Sequence, residues 1–140
     1  MFRRDYILRL IERFGRALIA LRDRILRREV SSEIARAEIE DIARDAGADL
    51  DIARQLDPAM LVMWLAPTGE IDDGKFWLLA ELLFLTALDS HASGTGDRGR
   101  ADFNRALALL RKLPPDWRPA EGLPTPNERI AEIGTLAPST

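Results

Sequence analysis

Glu81 is the one charge in residues 76–88, FWLLAELLFLTAL. An ionised carboxylate among apolar side chains must be paired or take up a proton. A carboxylate so perturbed sometimes serves as a working acid or ligand contact. Three readings of Glu81 follow: a buried pair with an arginine of the first helix, a margin position facing water, and a functional acid. The pair is the reading the composition favours. A second candidate is residues 94–99, GTGDRG, a literal match to G-x-G-x-x-G ahead of a helix. The dinucleotide fingerprint needs a strand to deliver its glycines to the helix N-terminus, and here a helix and a serine-rich turn come first. Nucleotide binding is therefore not expected. Arg98 and Arg100 beside that helix start are weaker candidates for holding a small anion.

The remaining chemistry-bearing residues have plainer readings. Glu70, Asp72 and Asp73 cluster before Gly74 without EF-hand spacing, and acids at a helix start explain them. His91 is the sole histidine and the chain has no cysteine, so a zinc site would need several carboxylates that nothing places beside it. Asp89, Ser90 and His91 are neighbours in sequence, whereas a catalytic triad needs convergence in space. Trp64, Trp77 and Trp117 read mainly as packing residues, Trp117 being the least protected. Neither metal nor cofactor is expected.

All of these residues must be positioned by helices. Residues 76–88 are apolar on every side, which requires protein cover on every side, and they are too few for a bilayer span of roughly 20 residues. Residues 3–28 form a long amphipathic helix. Ile7, Ile11, Phe14, Leu18, Leu21 and Ile25 follow 4-3-4-3-4 spacing, a heptad seam. Leu8, Leu10 and Ala17 widen it, while Ile19 and Leu26 lie off it. Asp5→Arg9, Glu12→Arg16 and Asp23→Arg27 are i,i+4 pairs in the favourable order. Gly15 costs about 1 kcal/mol inside a helix, and marks the expected crossing point of another helix.

Downstream, Ser31 or Ser32 restarts the chain and Gly47 ends a helix through Ala35, Ile39 and Ile42. A short helix follows near residues 50–56. Asp57-Pro58 opens another, whose LVMWL run reads as buried. Residues 90–100 read as a loop before an amphipathic helix at 101–113. Thr125 and Glu128 form a capping box for a last short helix ending near Ile133. No segment alternates like a strand. The fold class is all-α: a compact domain of about six helices spanning 1–140, with a helical core at 31–113 and a tail at 114–140.

Composition bounds the function. The chain has 140 residues, 46% hydrophobic and 31% charged, as in a folded globular protein. The absence of cysteine excludes disulfides and thiolate catalysis and suits a cytoplasmic setting. Basic residues are arginine at 18 of 20 positions, yet the net charge is −3, which disfavours nucleic acid as partner. Charge is segregated: residues 1–29 carry nine arginines against four acids, residues 30–74 three arginines against eleven acids. The basic first helix is expected to lie beside the acidic middle, in the same chain or a second copy. The N-terminus has no continuous apolar core of a signal peptide.

The segments FWLLAELLFLTAL and ADFNRALALLRKLPP resemble a tetratricopeptide-type hairpin through Trp77, Leu78, Ala80, Leu83, Phe103, Ala106 and the closing proline. That likeness covers about 40 residues, one unit where such repeats need about three. The opening DYILRLIE is similar to small bacterial helical proteins with such a hairpin behind it, which implies a bacterial cytoplasmic protein and no particular activity.

With no complete catalytic constellation, the expected function is a non-enzymatic protein-interaction module. It is expected to be a homodimer through Ile7, Ile11, Phe14, Gly15, Leu18, Leu21 and Ile25. The alternatives are peripheral attachment to anionic membranes through the basic first helix and a small-ligand-binding protein or enzyme using Glu81.

Overall fold

A computed structural model describes residues 2–94 and 96–137, with side chains described from residue 8 onward except 96–98. The described residues form seven helices and no strand, against the estimate of about six: α1 (Phe2–Leu26), α2 (Ser32–Asp45), α3 (Leu50–Ala53), α4 (Pro58–Leu65), α5 (Asp73–Ala92), α6 (Gly96–Leu110) and α7 (Pro126–Leu136).

The helix starts follow local chemistry. Ser31, Asp49, Asp57, Asp72 and Thr125 each accept a hydrogen bond from a backbone N–H two or three positions into the helix. Such caps stabilise a helix by about 1 kcal/mol each. Asp72 thus has a helix-start role, with Asp73 in the first turn of α5. Thr125 and Glu128 complete the capping box, and Pro126 occupies the first position. Gly47 closes the turn after α2 at φ 71°, a conformation that costs a side chain energy.

Helix α5 is the axis. Every residue from 76 to 90 is buried, because α1, α2, α3 and α6 all pack on it. Helix α6 is its main neighbour, and the two form a helical hairpin. The expected loop at 90–100 is therefore corrected: α5 continues through Ala92 and α6 begins at Gly96. Gly99 explains how polar, glycine-rich sequence is helical here. A Cβ at Gly99 would stand 2.9 Å from the Ala87 carbonyl oxygen, so the glycine lets α6 approach the α5 backbone. The last helix also runs beyond its expected end, through Gly134 to Leu136.

On α1, the seam residues Ile11, Phe14, Leu18, Leu21 and Ile25 are buried within this one chain. The notch at Gly15 receives Leu123 and Trp77, whose side chains lie 2.8 and 3.2 Å from a virtual Cβ. It is filled by one tail side chain and the α5 indole rather than by a helix of a second copy. Trp77 Nε1–H donates to the Pro124 carbonyl at 3.0 Å, which fastens the same tail segment.

Candidate functional site

Two places stand out: the buried charges around Glu81 and the outer face of α4. Glu81 is 1% exposed. Arg129 of α7 meets it with two parallel hydrogen bonds, Nε to Oε2 at 2.7 Å and Nη2 to Oε1 at 2.6 Å. The guanidinium also lies 4.2 Å from the Phe84 ring centroid, a cation–π contact in a desolvated setting. Its third edge donates to Glu132. Glu132 in turn accepts from Arg22 Nε at 2.9 Å, and Arg22 Nη1 reaches Asp23.

The partner of Glu81 therefore differs from the expected arginine of α1. An α1 arginine enters only at second hand, through Glu132. Seam positions of α1 are apolar and fill the contact with α5, so α1 arginines project sideways. Position 129 instead sits at i+3 from buried Pro126 and four before buried Ile133, on the docked stripe of α7. Burial opposes the charge on Arg129, but Glu81 and Glu132 more than offset it and raise its pKa above the ordinary arginine value. All five charged groups have ionic partners. This is the chemistry of a clamp joining α7 to α5 and α1.

The clamp borders a cleft of about 340 Å³ lined by Ile19, Arg22, Arg118, Leu123, Arg129 and Glu132. Its inner arginines are committed to Glu81 and Glu132, so the cleft has no vacant charge pair at its base. Two more buried carboxylates are likewise engaged. Asp102 takes Arg54 and Arg105 at 3.1 and 2.9 Å, and Arg105 Nε also donates to the Leu56 carbonyl. Asp89 accepts from the Ser32 hydroxyl at 2.8 Å. Sequence reasoning missed Asp102 and Arg129. Helical spacing carried the signal: Asp102 shares the stripe of Ala106 and Leu109.

The other candidates disperse. Asp89 and Ser90 are buried helical residues, not loop residues, while His91 is exposed and edges the Phe103 ring. The side chain of Arg98 lies outside the described residues, and Arg100 is exposed. Glu12–Arg16 forms at 3.2 Å. Asp23 pairs with Arg22 instead of Arg27, because α1 ends at Leu26. Arg24–Glu38 at 2.9 Å joins α1 to acidic α2.

Of the expected interface residues, Ile11, Phe14, Gly15, Leu18, Leu21 and Ile25 are all buried inside the chain. The side chain of Ile7 lies outside the described residues. The described seam of α1 thus packs within the domain of this one chain. The physical reason is the breadth noted in the sequence, since a stripe so wide fits a domain core better than a two-stranded coil. Outward, the described positions of α1 show Arg9, Arg13, Arg16, Ala17, Ala20 and Leu26, the last 42% exposed. Among the described residues, no helix is long and apolar enough to cross a membrane.

Helix α4 departs furthest from expectation. Its LVMWL run reads as buried, but only Leu61 is fully so. Met60, Met63 and Trp64 are 50%, 64% and 41% exposed. They stand at i, i+3 and i+4, one contiguous helix face. The cause is geometric: α4 has eight residues and packs chiefly on α6, so its far side lacks cover. Ile52 on α3 is exposed as well. No family model, curated protein or solved structure matches this chain.

Proposed function

We propose that this chain is a non-enzymatic helical interaction module that docks a protein partner through the outer face of α4. The supporting observation is the exposure of Met60, Met63 and Trp64 together on one face. Exposed apolar side chains scattered singly are ordinary, whereas contiguous ones mark interaction surfaces. Aromatic and methionine side chains are also the types enriched in interface cores. The buried carboxylates accord with the same reading, because each is paired with arginine: Glu81 with Arg129, Asp102 with Arg54 and Arg105, and Asp89 with Arg36. A bacterial, cytoplasmic setting belongs to this reading, and a chain without cysteine accommodates it.

The test is a photocrosslinking benzophenone side chain placed at position 63, with a control at exposed Arg13. Adducts formed in the producing cells are identified by mass spectrometry, and the purified partner is then titrated by calorimetry. Saturable binding that Met63→Lys abolishes, without loss of thermal stability, is the expected result. Absence of a discrete adduct at position 63, or binding indifferent to Met63→Lys, removes the reading.

A further inference from the structure

Resting on the reading of α4 as a docking face, we infer that its occupant is a cationic amphipathic helix of a different protein. The charge around the face points there. In the segment that carries α3, α4 and the start of α5, Asp49, Asp51, Asp57, Glu70 and Asp72 are all exposed. Three of them, Asp49, Asp57 and Asp72, are held in place as helix caps. The segment's cations offset this little. Arg54 is taken by buried Asp102, which leaves Lys75. An apolar strip with acids before and after it matches a helix with apolar anchors on one face and lysine or arginine beside them.

The partner's secondary structure follows from the shape of the face. Helix α4 is about 12 Å long at 1.5 Å per residue, which suits anchors at i, i+3 or i+4, and i+7 of a crossing helix. An extended peptide adds to an open sheet edge, and the described residues contain no strand. Met60 and Met63 are flexible and polarizable, so the face accommodates anchors of differing shape. The same acids argue against the rival occupants. Two copies paired α4 to α4 would bring like charges together, and an anionic lipid surface would be repelled.

The experiment uses three synthetic helix-forming peptides of about 14 residues with identical leucine anchors and lysine, glutamine or glutamate at all other positions. Binding to the full chain is read from tryptophan emission, with Trp64→Phe assigning the signal. The lysine peptide is expected to bind saturably and at least about tenfold more tightly than the glutamine peptide. The glutamate peptide should not bind. Raising salt from about 50 to about 500 mM should close the gap, because exposed charges are screened. Met63→Lys should abolish binding while the melting temperature holds.

Equal binding of the lysine and glutamine peptides would overturn the charge assignment and leave the docking face intact. Lysine-peptide binding that survives Met63→Lys would place the contact elsewhere and overturn the inference. So would failure of the lysine peptide to bind, a position-63 adduct between two copies of this chain, or a Trp64 emission shift on anionic vesicles of phosphatidylglycerol. Because the crosslinking test needs no charge on the partner, it separates failure of this inference from failure of the docking face itself.

Discussion

Removing Arg129 should be the most damaging single change among the charged residues. Arg129→Met deletes both hydrogen bonds to Glu81 and leaves a carboxylate 1% exposed without its cation. Breaking a buried pair from one side costs about 3–5 kcal/mol. Total stabilities lie near 5–15 kcal/mol, so the variant should still fold, with a melting temperature about 10 °C lower at 2–4 °C per kcal/mol. Glu81→Leu should cost less, because Arg129 keeps Glu132 as a partner. Replacing both, Glu81→Leu with Arg129→Met, removes the charges together and should return stability to within about 1–2 kcal/mol of the parent.

Urea denaturation of the four proteins closes the cycle, with an expected coupling of at least about 2 kcal/mol. The sign with pH is also fixed. In the parent, the raised Arg129 value means its contribution is present throughout neutral pH and is lost only on strong alkalinisation. Additive single losses would refute the clamp.

Four further changes probe packing and capping. Gly99→Ala should lose about 1–3 kcal/mol in urea denaturation, since the obstructing atom is a backbone oxygen 2.9 Å away that cannot rotate aside. Gly134→Ala, in open space inside α7, should instead gain about 0.5–1 kcal/mol; equal effects at the two glycines would contradict the close approach at position 99. Thr125→Ala should lose about 1 kcal/mol through its cap, measured by the same denaturation. Phe14→Ala should cost about 3–5 kcal/mol with no change in sedimentation, whereas dissociation of a dimer at unchanged stability would restore the intermolecular seam.

The parts of this fold legible in the sequence are those governed by local rules. An all-apolar run needed cover on every side, and α5 has it. Asp57-Pro58 and Thr125-Pro126 were readable as helix starts because capping depends on a few adjacent atoms. Residues 90–100 were misread because glycine and serine are poor helix formers alone, whereas the α5–α6 contact rewards Gly99 for its missing side chain. The partner of Glu81 lay 48 positions away, beyond any local signal, although the stripe of α7 already put Arg129 on the inner face. Trp64 was misread for the opposite reason. Hydropathy says that a side chain prefers cover, but not whether a neighbour exists to supply it.

That last distinction underlies the docking face proposed for α4. Helix α5 takes its cover from α1, α2, α3 and α6, and the seam of α1 is spent entirely on that task. Helix α4 is apolar throughout, PAMLVMWL, yet lies on the outside of α6, one layer further from the axis. A helix in that position needs a single apolar stripe, which Leu61 with half-buried Val62 and Leu65 already provides. Stability of the isolated chain gives no reason for Met60, Met63 and Trp64 to be apolar as well. Polar residues there would keep the fold and improve its solubility. Under the proposed reading a partner covers them, and the acids at the helix caps favour one that bears cations.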